Sequence, residues 1–256
     1  MSLENSIIAK KGKKKIVMLT AYDCQVAKIL DKVGIDLILV GDSLGMVFQC
    51  CPDTKSVTMA DIIYHVKAVA RGATGTPIIA DMPINSYSTP DEALANARRF
   101  LEVGATGVKM EGYRPEPLRA LVEAKIPVMG HVGMLPQSEE VYRLKGKKPE
   151  EAEQILRDAK NLDKSNVFSI VLECIPEALA KRITGEVRVP TIGIGAGKHC
   201  DGQVLVINDM LGLDETFKPK YVKTYANLNR SIRDAVSRFM QEVASEEYPD
   251  AEHTYH

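Results

Sequence analysis

The chain has 256 residues, close to one α/β-barrel domain, with 26% charged and 45% hydrophobic residues. Its formal net charge of −1 excludes a bulk electrostatic attraction to nucleic acid or to an anionic membrane. The start is polar and lysine-rich, no apolar run approaches the roughly 20 residues of a membrane span, and the five cysteines fit no zinc spacing, so a cytoplasmic protein with reduced thiols and no membrane partner is expected.

In chain order, the basic run Lys10-Lys11-Gly12-Lys13-Lys14-Lys15 reads as a solvated lead into a first strand at 16–19. Asp23 suits the cap of a helix that runs to 33, and a second strand covers 36–40. Thr58-Met59-Ala60-Asp61 has the form of a capping box with Asp in the Glu place, opening an amphipathic helix to 71. A third strand falls at 77–80. Thr89-Pro90-Asp91-Glu92 then combines cap, first-turn proline and returning acid, and its helix stops near Gly104. A fourth strand at 107–109, a helix at 115–124 and a fifth strand at 126–130 follow. Residues 134–148 read as a long polar loop and 149–164 as a helix rich in Glu, Lys and Ala. A sixth strand at 168–172, a helix beginning at Pro176, strands at 189–194 and 203–207, and a closing helix at 222–244 complete the pattern. Eight strands in strict β-then-α order favour one (β/α)8 TIM barrel spanning 1–256 over a doubly wound open sheet.

Five of the apolar runs end on an ionisable residue: Asp42, Asp81, Glu111 (with Lys109 two places before it), His131 and Glu173. A buried parallel strand has no use for a carboxylate within it, whereas the C-terminal mouth of a barrel is where such folds carry chemistry. Asp42 and Asp81 are the best metal candidates, because a hard divalent cation such as magnesium takes one or two carboxylates and keeps waters or substrate oxygens. Glu111 completes the set, directly or through a water. A lone aspartate there would read as a loop or helix cap; three acids on consecutive strands read as a metal site.

Ser43 stands where the chain leaves the barrel and suits a substrate carboxylate. Lys109 and Glu111 alternate, so both side chains point one way. An ammonium beside a metal pairs with an anionic substrate; a Schiff-base lysine and a structural Lys–Glu pair are the other readings. His131 suits proton shuttling or oxyanion support, and a buried structural histidine is its alternative. Glu173 suits base work, with loop capping as the alternative. Cys174 reads as packing rather than as a nucleophile. His65, His199, His253 and His256 are given no chemistry. Gly193-Ile194-Gly195-Ala196-Gly197 is either a phosphate cradle or a tight turn that admits a ligand, and it is no dinucleotide fingerprint.

Taken in order, Thr20-Ala21-Tyr22-Asp23, Val40-Gly41-Asp42-Ser43-Leu44-Gly45-Met46, Ala80-Asp81-Met82-Pro83, Val108-Lys109-Met110-Glu111-Gly112, Gly130-His131-Val132-Gly133, Pro136-Gln137-Ser138, Leu172-Glu173-Cys174 and Ile192-Gly193-Ile194-Gly195-Ala196-Gly197 resemble the ketopantoate (3-methyl-2-oxobutanoate) hydroxymethyltransferase family. The resemblance covers almost the whole chain. It implies a TIM barrel of the phosphoenolpyruvate/pyruvate superfamily, a homo-oligomer (decameric in some members), and a role in pantothenate and coenzyme A synthesis. It implies transfer of a one-carbon unit from 5,10-methylenetetrahydrofolate to 3-methyl-2-oxobutanoate through a magnesium-stabilised enolate, giving 2-dehydropantoate. By position, it implies magnesium on Asp42 and Asp81 with Glu111 as third acid. Asp42, Ser43, Asp81 and Lys109 would then contact the oxo acid, Glu173 would accept the proton, and His131 would be its partner. The chain departs from the family pattern at Cys50-Cys51-Pro52-Asp53, at Tyr113 and across 139–148, all of them mouth loops. Two rivals remain: a metal-dependent lyase or aldolase acting on another oxo acid without folate, which would share Asp42, Asp81 and Glu111, and a barrel that only binds oxo acids or serves in assembly, against which the intact acid set argues.

Overall fold

In the computed structural model, which describes residues 3–215 and 219–255, the apolar runs form eight short parallel strands. They are β1 (Ile16–Thr20), β2 (Leu37–Val40), β3 (Ile78–Asp81), β4 (Gly107–Glu111), β5 (Val128–Gly133), β6 (Ser169–Glu173), β7 (Thr191–Ile194) and β8 (Gly202–Leu205). They pair in chain order and close into a barrel, β1 to β8. The expected (β/α)8 architecture is therefore the observed one. The seam pairs Ile16 with Gly202 and Leu19 with Leu205. Gly202 permits that approach, since a Cβ there would stand 2.5 Å from the Ile16 carbonyl oxygen.

The intervening helices are α1 (Leu3–Ile8), α2 (Cys24–Val33), α3 (Leu44–Val47), α4 (Met59–Gly72), α5 (Pro90–Glu102), α6 (Pro115–Glu123), α7 (Pro149–Lys164) and α8 (Glu177–Glu186). Their starts follow the capping chemistry in the sequence. The Asp23 side chain accepts from the Gln25 and Val26 amides, and the Thr58/Asp61 and Thr89/Glu92 boxes are both complete. Each helix buries one stripe: α5 turns Ala93, Ala97 and Phe100 inward, a spacing of four and three that matches the helical repeat. The short helices α1 and α3 were not expected. The glycine-rich turn after β7 is packed by its own neighbours, with the Gly197 carbonyl accepting from Gln203 and Glu177 lying against Gly197.

Two compact units follow the chain, Met1–Val206 with the whole barrel and Ile207–His256. The second holds α9 (Ile207–Met210), α10 (Leu228–Ala244) and a 3-10 turn at Ala251–His253. The closing helix starts six residues later than expected, counting from 222 to 228. The reason is hydrogen bonding: the Tyr225 and Leu228 amides are spent on the Met210 and Leu211 carbonyls, and Asn227 caps α10 through the Arg230 amide. No residue of α10 is buried. Among the described residues, no helix is long and apolar enough to cross a membrane.

Candidate active site

The barrel register itself assembles the mouth. Asp81 is the partner of Lys109, Glu111 of His131, and Gly133 of Glu173 across successive strand pairs. Asp42 lies two residues past β2 and joins the group through its amide, which donates to Asp81 Oδ2 at 3.3 Å. Asp42, Asp81, Lys109, Glu111 and His131 are all buried, and the Glu173 side chain is 14% exposed at the rim. The expected site residues are thus brought together. One detail differs: β5 continues to Gly133, so His131 lies within the strand, opposite Glu111, and not at its end.

Lys109 Nζ donates to both oxygens of Asp81, at 2.9 and 2.7 Å. Burial opposes the charge on this ammonium, but Asp81, Asp42 and Glu111 around it raise its pKa above the ordinary lysine value. It is therefore a fixed cation and not a nucleophile, which disfavours the Schiff-base reading. Its structural partner is Asp81 rather than Glu111. Burial raises Asp42 to about 7, with Asp81's charge adding to it and Lys109 and Gln137 opposing. Burial likewise raises Asp81 and Glu111 despite Lys109 and His131 beside them.

His131 stands between two glutamates, Nδ1 at 3.6 Å from Glu111 Oε1 and Nε2 at 3.1 Å from Glu173 Oε2. Burial and Lys109 both work against its protonation, yet the two glutamates carry it up to about 9. Neither ring nitrogen, nor Glu111 Oε1, makes a well-aligned hydrogen bond. Cys174, just beyond Glu173, takes a positive φ of 47°, and burial followed by the Glu173 charge pushes its thiol up to about 12. It carries no thiolate near neutrality, in keeping with packing. Ser43 caps α3 and shares a 2.8 Å hydrogen bond with the Tyr22 hydroxyl. Behind Tyr22, buried His65 meets the Tyr22 carbonyl at 2.6 Å through Nδ1.

Two contributors had no role in the sequence reading. Gln137, from the loop after β5, gives its Nε2 to Asp42 Oδ2 at 2.8 Å and to the Met82 carbonyl at 2.9 Å. Its backbone amide donates to Glu111 Oε2 at 3.1 Å. Tyr87 donates its hydroxyl to Gln137 Oε1 at 2.7 Å. Neither position has a periodicity or spacing signal that would single it out; the Pro136-Gln137-Ser138 segment is the one hint.

The donor set fits a hard divalent cation. Three buried carboxylates whose pKa values are raised by burial face one lysine and one histidine, and an added cation would offset that excess. Among the described residues, however, no three His, Cys, Asp or Glu side chains form a ready cage. Glu111 is the member that stands aside, because one oxygen is held by the Gln137 amide and the other turns to His131. Two carboxylates with waters or substrate oxygens remain a sufficient set for magnesium.

Comparison with known proteins places the chain in a family. Residues 2–251 match the family model described as ketopantoate hydroxymethyltransferase. A 3-methyl-2-oxobutanoate hydroxymethyltransferase of Syntrophus aciditrophicus is 49% identical over 96% of this chain and 93% of that protein. One from Caldicellulosiruptor saccharolyticus is 50% identical over 98% and 97%. Among solved structures, 2,3-dimethylmalate lyase, a PEP mutase/isocitrate lyase superfamily member, aligns with a TM-score of 0.63 at 16% identity, covering 99% of this chain and 92% of that one. At that identity the likeness concerns the barrel alone.

Proposed function

The chain belongs to the ketopantoate hydroxymethyltransferase family, and from that premise we propose how its barrel mouth performs the family's reaction. The enzyme transfers a hydroxymethyl unit from 5,10-methylenetetrahydrofolate to 3-methyl-2-oxobutanoate, forming 2-dehydropantoate for pantothenate synthesis. The observation that carries the assignment of roles is the run of register partners, Asp81–Lys109, Glu111–His131 and Gly133–Glu173, which sets acids, cation and base along one rim.

Asp42 and Asp81 would hold magnesium, with Glu111 as the third acid of the set. When bound there, magnesium supplies a Lewis acid for the oxo acid's oxygens and so favours the enolate form of the substrate. Ser43 and Lys109 orient the substrate carboxylate, Ser43 held in place by Tyr22 and Lys109 by Asp81. Glu173 accepts the C3 proton of the oxo acid. His131, 3.1 Å from Glu173 and flanked by Glu111, holds the Glu173 carboxylate in place in its charged, proton-accepting form. The C3 carbon then bonds to the one-carbon unit, water supplies its hydroxyl group, and the two carbon–nitrogen bonds to the folate break; the C3 proton and one water proton go to the folate nitrogens as tetrahydrofolate leaves.

Turnover should require 3-methyl-2-oxobutanoate, methylenetetrahydrofolate and magnesium together, and should stop with chelator. In Glu173→Gln, solvent exchange of the C3 proton should slow by about 10²–10⁴-fold while oxo-acid binding is kept. Unchanged exchange in that variant removes Glu173 from the base role. Folate-independent turnover of another oxo acid would favour the lyase reading instead.

The long unburied helix α10 supports assembly as a homo-oligomer. The five free cysteines suit the reducing cytoplasm.

A further inference from the structure

Gln137 is the most densely bonded uncharged side chain at the mouth, and the chemistry of its neighbours fixes which way its amide faces. Its Nε2 lies against Asp42 Oδ2 and the Met82 carbonyl, and the carbonyl can only accept. With the amide reversed, Oε1 would face the Met82 carbonyl with no proton between them. The remaining contact, at Oε1, therefore has to be a donor, and the buried Tyr87 hydroxyl is one. Tyr87 keeps its proton, because burial together with the charges of Glu111 and Asp81 raises its pKa. The backbone of the same residue is also engaged, its amide donating to Glu111.

One residue on the loop after β5 thus holds two of the mouth's acids, one by side chain and one by main chain. The sequence separation is 95 residues for Gln137–Asp42 and 50 for Tyr87–Gln137. The partners come from the ends of β2, β3 and β4 and from the segment after β3. Gln137 and Tyr87 also line a cleft of about 460 Å3 beside the mouth, together with Arg114 and Ser138. Gln137 is therefore shared between the acids on one side and an open cleft on the other.

We propose that Gln137 is a positioning residue of this enzyme: its carboxamide, oriented by Tyr87, aims Asp42 at the cation and fastens the loop at 134–148 over the mouth. The aiming role rests on the assignment of Asp42 to the metal; the fastening role does not. With Oδ2 occupied by Gln137, Asp42 presents its other oxygen in a fixed direction. Groups that hydrogen-bond to a metal-binding side chain commonly change metal affinity by about 10–100-fold when they are removed.

The test uses the full-length protein with Gln137→Met, which keeps the chain length and removes both amide groups, with Tyr87→Phe, and with the double variant. Manganese(II) binding is read by electron paramagnetic resonance, and tryptic cleavage after Arg143 and Lys147, both exposed on the loop, reads the fastening. We expect Gln137→Met to weaken manganese binding by about tenfold and to speed loop cleavage by a similar factor, on a chain that remains folded by circular dichroism. Tyr87→Phe should move both readouts the same way by less, and the double variant should be no worse than Gln137→Met, because Tyr87 acts through Gln137. Affinity and cleavage within about twofold of the parent, or additive effects in the double variant, overturn the proposal. If the parent protein binds no manganese, the metal assignment and with it the aiming role fail, and the cleavage rates still decide the fastening.

Discussion

At the level of single residues, the mouth keeps three acids out of water at a cost that shows in their proton affinity. Asp42 is the clearest case. Its carboxyl is raised from 3.8 to about 7 by burial and then by Asp81. Between those values the folded chain retains a proton that the unfolded chain has released, so this group makes the metal-free fold less stable as pH rises from about 4 to about 7. Asp81 and Glu111 act in the same direction. Asp42→Asn removes the Asp42 contribution. With chelator present, its melting temperature should fall less steeply than the parent's between pH 5 and 7, and it should exceed the parent's by several degrees at pH 7.5. Parallel melting curves across that range would mean that Asp42 is not the strained group. At this scale the sequence was most legible where a charge interrupts an apolar strand, since burial gives such a charge no bland explanation. It was silent on Gln137 and Tyr87, because an uncharged amide on a loop is ordinary until its partners, drawn from distant strands, are known.

At the level of elements, cap chemistry and apolar period located the helices because both are local. Asp23, Thr58 and Thr89 each satisfy amides within three residues, so a short window contains the whole cause. The start of α10 was misplaced for the opposite reason: the Tyr225 and Leu228 amides are used by the carbonyls of Met210 and Leu211, partners that a short window around 222–228 does not contain. The ends of β5 and β6 show how backbone places a side chain. Gly133 has φ +104°, and a Cβ on it would stand 2.2 Å from the Glu173 carbonyl oxygen, while Cys174 turns through a positive φ just after Glu173. Gly133→Ala should cost about 2 kcal/mol of stability, measured by denaturant unfolding, and should push the backbone carrying Glu173 aside. C3 proton exchange should therefore slow while manganese affinity, which depends on β2 and β3, stays near the parent value. An alanine variant with parent stability and parent exchange would show that the close approach has no bearing on the base.

At the level of the whole molecule, the barrel unit and the unit from Ile207 onward differ in how they hide apolar surface. Every strand of the barrel is largely buried, whereas α10 exposes Ile232, Val236, Phe239, Met240 and Val243, each to about half or more. Those positions recur at intervals of four, three, one and three, which is one face of a helix. A face of that kind suits association with further copies of the chain. Light scattering should therefore give a mass several times 28.2 kDa for the parent protein, and Phe239→Glu combined with Val236→Glu should bring it down to a single chain with the barrel's circular dichroism retained. A monomeric parent would end the oligomer reading. Composition and charge had no means of indicating that face, since an amphipathic helix has the same signature whether its cover comes from its own chain or from another.

The seam between β1 and β8 has a consequence in time. All other strand pairs join neighbours in the chain, so they can form in the order in which the ribosome delivers them, while the last pair must close a loop from Ile16 to Gly202. Asp42, Asp81, Lys109, Glu111, His131 and Glu173 have all emerged by then. A nascent chain paused before Gly202 would carry its complete set of reactive groups on an open sheet with two bare edges. The slowest step of biogenesis is thus expected to be the sealing of a ring whose catalytic inventory is already in place.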